Sequence, residues 1–143
     1  MTALGTTIED ILDTFEFIED WEERYGIIID LGKKLPVLED VYKVDEYRVR
    51  GCQSQVWLVP AIEGEGADKI ITFRGDSDAV IVRGLVALML VIYSGKKPQD
   101  ILDTDAKGYL EAMNLKEHLS PLRANGLYAM MERIKAVASA ELS

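Results

Sequence analysis

Cysteine and histidine are nearly absent from this chain: its 143 residues include one of each, Cys52 and His118. A single thiol cannot close an internal disulfide, and these two side chains fall short of the roughly three or four ligands of a tetrahedral metal site or an iron–sulfur cluster. A disulfide-stabilised exported domain, a resident metal and an iron–sulfur scaffold are therefore not expected. One unpaired cysteine fits a reducing, cytoplasmic compartment.

Positive charge is also in short supply. The chain has 16 Lys and Arg residues against 25 Asp and Glu residues, a formal net charge of −9, and the basic residues form no cluster along the sequence. Phosphate backbones and anionic lipid surfaces would repel such a chain, so nucleic acid is not an expected partner.

Long hydrophobic runs are missing as well. Residues 79–92 are the most apolar stretch, but they are too few to span a bilayer and they include Arg83. Residues 1–10 lack the basic start and apolar run of a secretory signal. We therefore expect a soluble protein with no membrane partner.

What remains is enough apolar sequence for one ordinary domain. A composition of 48% hydrophobic and 29% charged residues argues against disorder. A chain of this length buries roughly two thirds of the surface that it exposes when unfolded. We expect residues 1–143 to form a single domain around one core.

Helical periodicity appears first at the N-terminus. Residues 7–10 resemble a capping box, and a second helix is predicted over residues 21–31, with Asp20 near its positive end and Gly32 ending it. The apolar residues at helical spacing in the first helix are Ile8, Ile11, Leu12, Phe15 and Ile18.

The middle of the chain predicts a sheet. Residues 47–50, 55–59 and 69–73 are rich in β-branched and aromatic residues, and Pro60 marks the edge or end of the second run. Glycines in residues 63–68 indicate a turn. We expect a three-stranded antiparallel sheet with one face to cover.

Helices return in the C-terminal half. Residues 79–93 predict a long helix that is apolar nearly all round and lies across the sheet, capped by Asp76 or Ser77. Short helices are expected at residues 98–102 and 106–113, before a last helix. The expected class is α+β, with helices packed on one face of the sheet around a long buried central helix. The last helix repeats Leu127, Met130, Met131, Ile134 and Val137.

The candidate reactive group is the Cys52 thiol. It lies in a short polar turn, residues 50–55, between two predicted strands, without the apolar neighbours of a core cysteine. Gly51 gives this turn backbone angles closed to other residues, so that the thiol rotates between sheltered and exposed positions. Arg50 would raise the thiolate fraction if its guanidinium faced the sulfur. The polar residues that follow, Gln53, Ser54 and Gln55, either contact a partner or simply form the turn.

Four blocks of sequence, in order along residues 21–135, resemble the SufE family of sulfur-acceptor proteins. The resemblance implies a SufE/NifU-like fold. The blocks are Tyr25 with Leu31-Gly32-Lys33 and Leu35-Pro36; Gly51-Cys52-Gln53-Ser54-Gln55-Val56-Trp57; Gly75-Asp76-Ser77-Asp78-Ala79 with Ile81-Val82-Arg83-Gly84-Leu85; and Leu119-Ser120-Pro121 with Arg123-Ala124-Asn125-Gly126-Leu127.

The resemblance also implies a reaction. In that family a pyridoxal-phosphate-dependent cysteine desulfurase holds sulfur as a persulfide and passes its outer sulfur to the acceptor, here Cys52. It implies partners of the SufS or CsdA type and a SufBCD-type scaffold, and an accessory protein without a cofactor rather than an independent enzyme. The loop and partner-binding residues that it implies are Gly51, Gln53, Ser54, Gln55, Asp76, Ser77, Asp78, Arg123 and Asn125.

Other interpretations of these residues stay open. Asp76 or Ser77 would serve as a helix cap, Asp78 would restrain the cysteine turn, and Arg123 would form an internal ion pair instead of docking to a desulfurase. Cys52 with His118 as base would make a thiol hydrolase or peroxidase. A non-catalytic adaptor would keep its function when Cys52 is replaced by serine, whereas a sulfur carrier would lose it.

Overall fold

An antiparallel hairpin is the sheet of this α+β fold. In the computed structural model, which describes residues 3–142, β1 (Val56–Glu63) pairs with β2 (Ile70–Ser77). The register sets Val56 opposite Ser77 and Glu63 opposite Ile70. Burial alternates along β2, because one face of the hairpin packs on the core.

The prediction of a third strand at residues 47–50 is wrong. Asp45–Tyr47 forms a turn of 3-10 helix, and Arg48 alone bridges to Trp57. The Val49 N–H donates to the Val56 carbonyl at 2.9 Å, after which Gly51, with φ of +91°, turns the chain away. A left-handed residue so soon after the bridge ends the pairing, and the described sheet has two strands.

Pro60 lies inside β1, opposite Phe73, rather than at the end of the strand. Each strand of a two-stranded sheet has one unpaired edge, where the missing N–H of a proline costs no hydrogen bond. The strand therefore continues to Glu63.

Within residues 3–142, six α-helices share one hydrophobic core with the hairpin. Thr7 caps α1 by accepting the Asp10 N–H at 3.1 Å, as the capping box predicts. Asp20 caps α2 through the Glu22 N–H at 3.4 Å. The short C-terminal helices lie close to the predicted positions. The bounds are α1 Ile8–Phe17, α2 Trp21–Lys33, α3 Val80–Tyr93, α4 Pro98–Asp103, α5 Ala106–Ala112 and α6 Pro121–Leu142.

Gly32 does not end the second helix, contrary to the prediction. It lies within α2, where an added Cβ would be 2.7 Å from the Gly84 nitrogen of α3. A Cβ on Gly84 would be 2.3 Å from the Ile28 carbonyl oxygen. The two glycines thus allow the backbones of α2 and α3 to touch, and Gly32 serves close packing rather than termination.

The long central helix is confirmed. Ten of the fourteen residues of α3 are buried, and the helix packs against β2, α2 and α6. Its predicted cap is wrong, because β2 continues to Ser77 and the N-cap residue is Ala79, which makes no side-chain capping bond. The Ser77 hydroxyl accepts the Ala79 N–H at 3.2 Å, and Asp76 accepts the Ser77 N–H at 2.8 Å. Both side chains brace the strand-to-helix turn.

The two faces of the hairpin are covered differently. The α-helices pack on the face that includes Val56, Leu58, Ile71 and Phe73. A smaller cluster covers the other face, where Trp57 and Val59 pack with Leu38, Tyr42 and Tyr47 from the preceding segment. Trp57 is buried. Among residues 3–142, no helix is both long and apolar enough to cross a membrane.

Candidate functional site

The cysteine loop, residues 50–55, is closed at its base and turned by glycine. The Val49 N–H to Val56 carbonyl bond joins the chain before the loop to the first residue of β1. Gly51 has a φ of +91°, a backbone angle that residues other than glycine rarely adopt. An added Cβ there would also meet the Ala129 Cβ of α6 at 3.3 Å. The loop therefore folds back onto α6 with its cysteine facing that helix.

The Cys52 thiol is half-buried against α6. Its Sγ donates to the Gly126 carbonyl at a sulfur–oxygen distance of 3.5 Å, and the side chain packs against the main core. The expectation that Cys52 lacks apolar neighbours is therefore wrong. These neighbours come from α3 and α6, far from residue 52 in sequence.

Beside the thiol is the cysteine cavity, of about 60 Å³. On the same measure a single water molecule needs about 10–15 Å³, so the cavity has room for a small group bonded to the sulfur. Its lining comes from the loop, α3 and α6: Cys52, Gln53, Ser54, Val82, Leu85, Leu122, Arg123, Gly126, Leu127 and Met130.

Burial raises the pKa of the Cys52 thiol, and the positive charge of Arg48 offsets part of this increase. An ordinary thiol with a pKa of about 8.5 is a few per cent ionised at neutral pH. In its observed position Cys52 is ionised even less. The charge that lowers its pKa is that of Arg48 rather than that of the predicted Arg50.

Arg123 lies in the first turn of α6 and lines the cysteine cavity. Its side chain is exposed, and its backbone N–H donates to the Ser120 hydroxyl at 3.2 Å. No carboxylate among residues 3–142 forms an ion pair with its guanidinium. The described structure thus contains no internal ion pair for this arginine, and its charge faces the solvent at the cavity.

The acidic turn after β2 divides into two parts. The Asp78 carboxylate accepts the Gln55 N–H at 3.0 Å, and the Asp78 N–H donates to the Gln55 carbonyl at 3.3 Å. Asp76 instead contacts the Arg83 guanidinium at 2.8 Å and the Lys43 ammonium at 3.2 Å. Asp78 therefore fixes the end of the cysteine loop, whereas Asp76 joins β2 to α3 and to the preceding segment.

The remaining predicted residues differ in their access to solvent. Gln53, Gln55 and Asn125 are exposed, Ser54 is partly buried and Ser77 is buried. Asn125 precedes Gly126 on α6 but does not line the cavity. Gln53, Gln55 and Asn125 are therefore accessible from the solvent, whereas Ser77 makes its contacts within the fold.

The sequence interpretation gave no role to Gly126, Leu122 or Arg48. One signal for Gly126 was available, because glycine inside a helix is disfavoured by about 1 kcal/mol relative to alanine and so needs a packing reason. Leu122 is an exposed apolar side chain at the cavity. Only the fold brings Leu122 close to Cys52, whereas Arg48 is also a near neighbour in the sequence.

His118 is engaged away from the cavity. Its ring stacks on Trp21 with 3.7 Å between centroids, and its Nδ1 lies 3.0 Å from the Asn114 carbonyl oxygen. His118 is not among the residues that line the cysteine cavity. The geometry therefore gives no support to a Cys52–His118 pair.

Comparison with known proteins agrees with the residue blocks. The family model for SufE, described as a Fe-S metabolism associated domain, matches residues 9–138. A SufE-like protein of Rhizobium meliloti strain 1021 is 47% identical over 137 residues, which cover 96% of this chain and 98% of that protein. A SufE-like protein of Rhizobium etli is 46% identical over 129 residues, which cover 90% and 87% of the two chains.

A solved structure shares the fold. The solution structure of a hypothetical protein from Thermus thermophilus superposes with a TM-score of 0.72 at 22% identity, covering 94% of this chain and 95% of that one. At this identity the likeness concerns the fold alone. The family match over residues 9–138 and the relative at 47% identity show that the chain belongs to the SufE family, whose domain is associated with Fe–S metabolism.

Proposed function

We propose that this protein is a sulfur carrier that receives persulfide sulfur on Cys52 from a pyridoxal-phosphate-dependent cysteine desulfurase of the SufS or CsdA type. It then passes the sulfur to an iron–sulfur scaffold of the SufBCD type in the cytoplasm. The observation that carries the proposal is the placement of the only cysteine, on a glycine-turned loop beside a small cavity.

The transfer is a displacement at sulfur. The Cys52 thiolate attacks the outer sulfur of the desulfurase persulfide, and a new sulfur–sulfur bond forms on Cys52. The sulfur–sulfur bond of the desulfurase breaks, and its cysteine leaves as a thiolate that takes up a proton. One sulfur–sulfur bond replaces another, so the step requires no added oxidant or reductant.

Access and ionisation change together in this step. Burial raises the pKa of the Cys52 thiol in the described position, which keeps it protonated and protects it from stray oxidants. To react, the loop must move Cys52 off α6 and into the active site of the desulfurase, where the burial penalty no longer holds. Gly51 provides the backbone freedom for that movement.

The partner would contact the exposed residues around the cavity. Arg123 supports this docking role, since its guanidinium has no ion pair within residues 3–142. Gln53, Gln55, Asp78 and Asn125 are exposed near the same loop and the same turn of α6. Asp76 and Ser77 contribute indirectly, by holding the turn on which Asp78 lies.

Desulfurase turnover tests this function. Cysteine desulfuration by a SufS-type or CsdA-type enzyme, followed as alanine formation, should rise when the wild-type protein is added and should not rise with Cys52→Ser. Equal stimulation by both proteins would refute the carrier role and favour an adaptor. A matched control is Thr72→Ala, which removes a hydroxyl of β2 that does not line the cysteine cavity and should stimulate the desulfurase as the wild type does.

A further inference from the structure

Gly126 lies directly against Cys52, in the second turn of α6. A Cβ added to Gly126 would be 3.4 Å from the Cys52 Sγ and 3.7 Å from both the Cα and the Cβ of that residue. These are ordinary van der Waals distances, so a methyl group would just fit between the backbone of α6 and Cys52. Anything larger than a methyl group at position 126 would occupy the space of the thiol.

The Gly126 carbonyl oxygen discriminates between the forms of the sulfur. It accepts a hydrogen bond, and the Cys52 Sγ lies 3.5 Å from it. A thiol supplies the hydrogen, whereas a thiolate has none and places negative charge against the lone pairs of the oxygen. The contact is therefore favourable for the protonated sulfur and unfavourable for the anion.

The charged groups around Cys52 do not remove this preference. Arg48 attracts the thiolate, but burial outweighs it. Arg123 lines the cavity with its side chain exposed to water, which screens its charge. The contribution of α3 is Val82 and Leu85, which are uncharged, and the Asp78 carboxylate is bonded to the Gln55 N–H at the end of the loop.

We infer that Gly126 is a positioning residue for Cys52: the absence of a large side chain at this position and the Gly126 carbonyl oxygen form a thiol seat that holds the protonated sulfur and releases the anion. This inference rests on the proposed function, because it describes how the carrier thiol is sheltered between transfers. A hydropersulfide is more acidic than the parent thiol, so the loaded, ionised carrier has no hydrogen to donate to the seat. Loading therefore favours release of the loop.

Alkylation kinetics of the free protein test the seat without any desulfurase. The rate of Cys52 with iodoacetamide is measured against pH for the wild type, Gly126→Leu, Gly126→Ala and Gly26→Leu. Gly26 is a glycine of α2 with no atom within 4 Å of its added Cβ, so Gly26→Leu controls for a leucine in a helix. Circular dichroism reports whether each variant keeps the fold.

The expected result separates Gly126→Leu from the other three proteins. The wild type should react with an apparent pKa above the ordinary thiol value of about 8.5. Gly126→Leu should displace the thiol, lower that pKa toward the ordinary value and raise the thiolate fraction at neutral pH by about tenfold for each unit of the fall, which speeds alkylation. Gly126→Ala and Gly26→Leu should keep the wild-type profile, since neither removes the space of the thiol.

Three outcomes would overturn the inference. One is a folded Gly126→Leu with the wild-type rate and pH profile. Another is an equal acceleration in Gly26→Leu, which would assign the effect to general helix disturbance. The third is a wild-type Cys52 that reacts as an ordinary free thiol, a result that needs no variant. A normal seat combined with no stimulation of a desulfurase would refute the proposed function alone.

Discussion

Two regions of the molecule differ in how closely their glycines are packed and in whether their arginines are paired. At the junction of α2, β2 and α3, a Cβ on Gly84 would be 2.3 Å from a backbone oxygen, and Asp76 pairs with Arg83 at 2.8 Å. At the cysteine site, a Cβ on Gly126 would be 3.4 Å from the nearest atom, and Arg123 has no ion pair within residues 3–142. The charged groups of the junction pair within the chain, whereas the cysteine site has a small cavity and an exposed arginine.

The largest expected difference lies between the two glycines. Gly84→Ala forces apart two helix backbones, because its Cβ would also lie 2.6 Å from the Ile28 Cγ2, and we expect a loss of about 3 kcal/mol or more in the free energy of unfolding. Gly126→Ala should leave stability unchanged or raise it by about 0.5–1 kcal/mol. Urea unfolding of both variants measures the difference. Similar losses in the two would show that the glycine contacts are of one kind.

The loss of stability on substitution should differ less between the two aspartates, Asp76 and Asp78. Asp76 is 14% exposed and faces two cations, so Asp76→Ala should cost about 1–2 kcal/mol after allowance for solvent around Arg83 and Lys43. Asp78→Ala removes a bond from the exposed end of the loop and should cost about 0.5–1 kcal/mol. Thermal unfolding under identical conditions compares them. The reverse order would contradict the distinction between junction and cysteine site.

Substitution of two arginines tests the proposed docking role of Arg123. Arg123→Gln should raise the concentration that half-saturates desulfurase stimulation about two- to fivefold, the range expected for an exposed ion pair with a partner, and the effect should shrink at high salt. The control is Arg74→Gln, because Arg74 already lies 3.5 Å from Glu39 and over the Tyr42 ring. Equal effects of the two substitutions would indicate a general charge effect rather than docking at the cavity.

The smallest effect concerns pH. Burial raises the pKa of Cys52 in the folded protein, so the folded state holds that proton more tightly than the unfolded state. The stability linked to this shift is present below the unfolded pKa of about 8.5 and is lost as pH rises through the folded pKa. From about pH 8 to pH 10 the free energy of unfolding of the wild type should therefore fall more than that of Cys52→Ser. Parallel pH curves would contradict the burial of the thiol.

Local patterns were sufficient to predict that the helices exist, although not where α2 ends or how α3 is capped. The Thr7 cap, the apolar spacing of α1 and the central helix α3 all depend on neighbours within a few residues, and the structure confirms them. The third strand failed, because residues 47–50 have the composition of a strand but Gly51 ends the pairing after one bridge. The composition of a segment does not reveal how many residues of a neighbouring strand it pairs with.

The surroundings of Cys52 depended on contacts that sequence does not display. Its position on a polar turn was readable, but the apolar wall from Val82, Leu85 and Leu122 comes from α3 and α6. The same holds for Gly32, whose close contact with Gly84 joins residues far apart in the chain. The residue type identified Cys52 as the candidate reactive group, and only the fold revealed the burial of its thiol.

Mass spectrometry of the Cys52 peptide shows directly whether Cys52 accepts sulfur from a desulfurase. The protein would be incubated with a SufS-type or CsdA-type desulfurase, pyridoxal phosphate and free cysteine without reductant, beside Cys52→Ser as the control. A sulfur carrier should gain one or more sulfur atoms on the Cys52 peptide, lost on adding thiol and absent from the control. An unmodified Cys52 peptide after many desulfurase turnovers would contradict the carrier role.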